Sequence, residues 1–131
     1  MAGEIKVPEG ILCSNTHEWV LETEDTCTIG LTDYAVEQLG DVVFVELPEI
    51  GSEFVKNEVF ATIESVKAAS EIYMPIGGKI VEVNEDLINS PEIINEDPYE
   101  KGWLVKIEAT GDVSAEQSDL LKYEAYKEEL E

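Results

Sequence analysis

With 131 residues and 44% hydrophobic content, the chain is long enough for one packed core and needs no covalent staples. Eight lysines, no arginine and 30 acidic residues leave a net charge of −22. So acidic a chain is repelled by nucleic acid and by anionic membrane surfaces, and proteins with basic patches or small molecules suit it better as partners.

Cys13 and Cys27 show no C-x-x-C spacing and no set of histidines beside them, which argues against a disulfide framework or a zinc site and for two reduced thiols packed in strands. No apolar run approaches membrane-spanning length. Residues 1–6 lack the apolar core of a signal peptide and the arginines of a transit peptide, so the expected location is the cytoplasm, although a mature mitochondrial form freed of its leader has the same look.

Taken in order, residues 1–10 hold Pro8 and Gly10 and read as a lead-in. Residues 18–22 alternate as a strand with Trp19 and Leu21 on one face, and 26–31 return as a β-branched strand, which makes a hairpin. Thr32 is placed to cap a short helix over 33–39, with Asp33 in its first turn and Gly40 as its stop. Residues 41–47 form the strongest strand pattern and end at Pro48, and a short strand follows at 53–55.

From Val59 to Met74 two runs of period two flank a turn that holds Lys67, so this stretch predicts a hairpin with a lysine at its tip. Gly77 and Gly78 are expected to supply the positive φ of a tight turn before a strand at 79–83. The pattern then breaks, with Ser90-Pro91 set to start one helical turn over 92–94. Residues 102–108 form the last strand. Ser114 to Gln117 reads as a capping box, and Leu120, Tyr123, Tyr126 and Leu130 recur at helical spacing, which predicts an amphipathic helix over about 114–130. One domain is expected over 1–131, with its core at 11–109. Many short strands between turns point to a mainly β sandwich or flattened barrel with a short internal helix and a C-terminal helix.

Autonomous catalysis finds little support. His17 is the sole histidine and has no serine or cysteine constellation around it, so it reads as structural rather than as a base or a metal ligand. A lysine at a hairpin tip is by itself an ordinary solvated charge. The words around it carry more. Glu64-Ser-Val-Lys-Ala-Ala-Ser-Glu71, with Pro75, Gly78 and Val81-Glu-Val-Asn84 after it, resembles the lipoylation site of the glycine cleavage system H proteins. Thr16-His-Glu-Trp19, Gly30 to Tyr34, Leu39 to Pro48, and Asn95 to Tyr99 with Gly102-Trp-Leu104 are similar to that family in the same order, from about Ile11 to the end of the chain.

The resemblance implies a barrel-sandwich hybrid fold and a non-catalytic carrier. It implies lipoic acid joined to Lys67 by an amide, with Glu64 and Ser65 helping a lipoate ligase or lipoyl transferase to recognise the turn. It also implies a cycle. A pyridoxal-phosphate glycine decarboxylase loads an aminomethyl group, a tetrahydrofolate-dependent aminomethyltransferase takes the carbon, and dihydrolipoamide dehydrogenase reoxidises the arm. Carried over by position, Thr16, Glu18 and Glu71 would hold the ammonium of the loaded arm. Two readings stay open beside this one: a relay that donates lipoyl groups to other complexes, and an unmodified β-rich binding module.

Overall fold

The computed structural model describes residues 7–23, 26–110 and 117–130. Among these residues ten strands form two sheets. β1 (Leu12–Cys13), β2 (Glu18–Thr23), β3 (Thr26–Leu31), β5 (Glu53–Phe54), β8 (Gly78–Val83), β9 (Val105–Ala109) and β10 (Leu121–Lys122) make a seven-stranded sheet in the order β10-β1-β2-β3-β9-β8-β5. β4 (Val42–Glu46), β6 (Val59–Ser65) and β7 (Ala69–Tyr73) make a three-stranded one in the order β4-β6-β7. Every recorded pairing is antiparallel. The architecture is the mainly β barrel-sandwich that the sequence predicts.

The sheets face each other across an aliphatic core. Ile29, Leu31, Ile80, Val105 and Ile107 from the large sheet share it with Val45, Ile63 and Ile72 from the small one. Each such side chain contributes about 1.5–3 kcal/mol by leaving water. β2 is buried on both faces. Val20 enters this core, while Trp19 turns the other way into a second cluster with Ile11, Cys13, Tyr99 and Tyr126. Gly30 pairs with Trp19 across the hairpin, and a Cβ at Gly30 would stand 2.7 Å from the indole. The missing side chain is thus the space in which the indole lies. Cys13 and Cys27 are free and buried, as predicted, and burial pushes the Cys13 thiol up to about 12.

The helix predicted at 33–39 is present as α1 (Asp33–Leu39). The Thr32 hydroxyl accepts from the Ala35 N–H, and Gly40, at φ 78°, ends the helix in a conformation that costs other residues a steric penalty. The turn predicted over 92–94 forms as α3 (Ile93–Glu96), with Glu92 rather than Ser90 at its N-cap. A further turn, α2 (Asp86–Asn89), had no periodic signal; its one anchor is the fully buried Leu87.

Two expectations need correction. Gly77 and Gly78 do not have positive φ. Their lack of a side chain serves close approach: a Cβ at Gly78 would lie 2.7 Å from Ile107 and 2.8 Å from the Glu108 carbonyl. The C-terminal helix starts at Tyr123, as α4 (Tyr123–Leu130), and residues 114–116 of the expected capping box lie outside the described residues. Before it, Leu120 packs into the main core and β10 pairs with β1, Leu12 opposite Lys122. Strand pairing and burial of Leu120 override the helical spacing there. Among the described residues no helix is long and apolar enough to cross a membrane.

Candidate functional site

Lys67 sits in the connection between β6 and β7. The turn is closed by the Ser65 N–H donating to the Ala68 carbonyl at 2.9 Å. The Ser65 hydroxyl oxygen also accepts from the N–H groups of Lys67 (3.2 Å) and Ala68 (3.3 Å). A serine here satisfies donors that strand pairing has left behind. The Val66 N–H donates to the Asp41 carbonyl at 3.0 Å, which ties the tip to the start of β4. Lys67 itself is exposed. Its stem lies over Gly40, where an added Cβ would come within 3.2 Å of Lys67 Cε.

That stem borders a cleft of about 230 Å³ between the β6–β7 hairpin, α1 and the β1–β2 turn. Ala35, Leu39 and Ile72 give it apolar walls, and Thr16, Glu71 and His17 give it polar ones. Of the predicted arm-holding residues, Thr16 and Glu71 therefore share the cleft with Lys67. Ser65 also borders it, while Glu64 lies on the strand beside it, opposite Phe44.

Glu18 has a different place. It is 1% exposed and does not border the cleft. Its carboxylate accepts from the Ser14 hydroxyl (2.7 Å), from the Thr16 hydroxyl and, through the other oxygen, from the Tyr73 N–H (3.2 Å). The last bond satisfies a donor on the unpaired edge of β7, where an orphan N–H would be costly. Burial raises the Glu18 carboxyl above its ordinary value, and the hydrogen bonds from Thr16, Ser14 and Tyr73 offset part of that shift.

The β1–β2 turn sets these directions. His17 adopts φ 74°, its N–H donates to the Ser14 carbonyl (3.0 Å), and the Ser14 N–H donates to the Glu18 carbonyl (2.9 Å). This left-handed residue lets Thr16 face the cleft while Glu18 turns inward. The His17 ring fills the space between cleft and C-terminal helix. Nδ1 is 2.8 Å from the Tyr126 hydroxyl, which is 2.7 Å from Thr32 Oγ1, and Tyr34 lies against the ring at 4.7 Å between centroids. Burial lowers the imidazole's affinity for a proton.

α1, one wall of the cleft, is anchored at both ends. Asp33 accepts from Tyr99 (2.7 Å), Tyr123 (3.1 Å) and Lys127 (3.3 Å). Burial alone would raise the Asp33 carboxyl, but these hydrogen bonds and the Lys127 charge outweigh it and hold it below the usual value. At the other end Asn95 donates to the Gly40 carbonyl (2.8 Å) and accepts from the Val42 N–H (2.9 Å). Sequence reasoning overlooked Asn95 and the role of His17 as a wall. The one signal for either was its place inside a matching block.

The family model described as Glycine cleavage H-protein matches residues 11–131. The glycine cleavage system H protein of Halothermothrix orenii is 47% identical over 127 residues, covering 97% of this chain and 98% of its own. That of Staphylococcus epidermidis is 52% identical over 122 residues, 93% of this chain and 95% of its own. The crystal structure of a glycine cleavage system H protein from Mycobacterium marinum superposes with a TM-score of 0.84 at 35% identity, covering 95% of this chain and 98% of that one. A lysine presented beside a sheltered cleft, on this fold and with these relatives, is a carrier's arrangement rather than a catalyst's: the chain belongs to the glycine cleavage H-protein family and is a non-catalytic carrier component of that system.

Proposed function

We propose that Lys67 carries a lipoyl group and that this chain shuttles the aminomethyl group of glycine. The exchange runs from a pyridoxal-phosphate glycine decarboxylase to a tetrahydrofolate-dependent aminomethyltransferase, with dihydrolipoamide dehydrogenase restoring the disulfide. The observation that carries the reading is the shared cleft of Lys67, Thr16 and Glu71. The residues suit such a group: an apolar stem finds Ala35, Leu39 and Ile72, and a cationic end finds acceptors. Attachment forms an amide between Lys67 Nζ and the carboxyl carbon of activated lipoate; adenylate leaves with the acyl–phosphate bond's electrons, and the amine's proton goes to solvent. Once bound, the lipoyl group supplies a sulfur that holds the one-carbon unit.

The chain's own residues then hold and shelter the cargo. Because the Thr16 hydroxyl gives its proton to Glu18, its oxygen is left with lone pairs for an ammonium. Glu18 thus acts as a positioning residue through Thr16, and Glu71 supplies the facing carboxylate. An exposed ammonium–carboxylate pair gives only about 0–1 kcal/mol, too little to hold the cargo alone. The apolar walls add the rest by restricting water.

Intact mass of the protein from its native source, with peptide mapping across Lys67, tests the attachment. A lipoyl increment on Lys67 is expected, and an unmodified Lys67 from cells that lipoylate other proteins would overturn the reading. With the loaded carrier in hand, Glu71→Gln and Thr16→Val are each expected to shorten its lifetime several-fold, while Lys67 is still lipoylated.

A further inference from the structure

The small sheet has an outward face that the cleft meets only at Glu71, on the β7 edge. Along its strands the buried positions Val45, Ile63 and Ile72 point to the core, so Phe44, Glu64 and Ala69, and in the next row Glu46, Thr62 and Glu71, point outward. At the start of β4 the register shifts between Val42 and Phe44. Val43 is the extra residue of this bulge, so it and its neighbour Phe44 both face solvent, 53% and 50% exposed. The turn adds Val66, 68% exposed, directly before Lys67. The Val66 N–H bond to the Asp41 carbonyl and the pairing of Val42 with Ser65 hold these three side chains on one end of the sheet. Asp41, Glu46 and Glu64, all exposed, lie beside them.

We infer that Val43, Phe44 and Val66 form the apolar centre of a docking surface for the enzyme that acylates Lys67, and that this enzyme meets it with an apolar recess rimmed by basic residues. The inference rests on the lipoyl-carrier reading. Exposed large apolar side chains in one patch mark interaction sites, and an aromatic side chain inside a polar rim is the usual anchor. Position selects the occupant. Val66 adjoins Lys67, so a protein that brings an activated acyl group to Nζ must cover Val66 and, with it, the bulge. Charge selects the rim: three carboxylates beside the patch, on a chain of net charge −22, favour a basic surface and disfavour a second copy of this acidic chain.

The test uses the unmodified full chain, purified lipoate–protein ligase, ATP and lipoate, and reads the initial rate of lipoylation by intact mass. Phe44→Ser and Val66→Ser are each expected to raise KM for the carrier about tenfold with kcat unchanged, because the chemistry at Nζ is the same. Glu46→Gln with Glu64→Gln is expected to weaken the dependence of KM on salt. An N-hydroxysuccinimide ester, which needs no docking, should acylate Lys67 equally in all variants, and their melting curves should match wild type. Unchanged KM in both serine variants would overturn the docking surface while leaving the carrier reading intact. A wild-type dimer that Phe44→Ser dissolves, with KM unchanged, would assign the face to a second copy instead. A wild-type chain that the ligase does not modify would overturn both.

Discussion

The hairpin tip and the layer beneath α4 are held in opposite ways. At the tip, Lys67, Ala68 and Ala69 are exposed, and order comes from a few backbone bonds and one serine hydroxyl. Beneath α4, Trp19, Tyr99 and Tyr126 are buried, Tyr99 and Tyr123 meet edge-on at 6.2 Å, and the Asp33 carboxylate takes three hydrogen bonds. The cleft lies between the two, with one wall from each. A carrier has to release its cargo's attachment point to several partners and still give the cargo a fixed shelter. Under the proposed function, placing the stability in the aromatic layer and leaving the tip lightly held would meet both demands.

Breaking the layer gives the largest effect. Trp19→Ala removes a side chain that is 1% exposed and whose indole N–H donates to the Pro98 carbonyl, and it leaves Gly30 bare. A loss of about 3–5 kcal/mol is expected by denaturant unfolding, in the range for buried tryptophan. The tip does not depend on Trp19, so lipoylation of the protein that remains folded should proceed as in wild type.

Asp33→Asn sharpens the comparison by removing charge and keeping shape. Hydrogen bonds to a charged group contribute about 1.5–3 kcal/mol, and a loss near the low end is expected at pH 7, since the amide oxygen still accepts from Tyr99. The native carboxyl titrates below its unfolded value of 3.8, so its stabilisation is complete above that value and disappears as the pH falls through the native one. Wild type and variant should therefore converge in stability on acidification below pH 3.8. Glu18 has the reverse slope. Its native carboxyl titrates above the unfolded value of 4.5, so the native state binds the extra proton between the two values, and ionising Glu18 costs stability as the pH rises through that interval. Equal sensitivity of wild type and Asp33→Asn across the acid range would contradict this division of roles.

The difference between the two regions also explains what was legible in the sequence. The tip is local: its strands alternate, its turn is one contiguous motif, and Ser65 and Lys67 are two residues apart, so both hairpin and lysine could be read directly. α1 was equally local, with Thr32 and Gly40 marking its ends. The layer is not. Asp33 meets Tyr99, Tyr123 and Lys127 across 66, 90 and 94 residues, and no periodicity reports such a junction. Helical spacing misled at 117–122 for the same reason, because Leu120 and β10 answer to the core and to β1 rather than to their neighbours. Glycine was misread at 77 and 78 because a residue type alone does not separate freedom of φ from shortage of space. Glu18 lay in a block similar to the family, but its burial behind Thr16 follows from the φ of His17, which the residue names do not encode.

The smallest effect belongs to the tip, and it bears most directly on the contrast. Ser65→Ala deletes the oxygen that accepts from the Lys67 and Ala68 N–H groups, but keeps the Ser65 N–H bond to Ala68 and the Val66 N–H bond to Asp41. The freed donors sit at an exposed turn, so water replaces the lost acceptor and no buried orphan is created. The stability loss should therefore stay under about 1 kcal/mol, well below that of Asp33→Asn. Hydrogen exchange should speed up at the amides of Lys67 and Ala68 and stay as in wild type at Ile63 and Ile72, whose side chains are in the core. Exchange that accelerated along both strands would mean that the tip organises the small sheet, and the lightly held hairpin would no longer describe how this carrier presents its lysine.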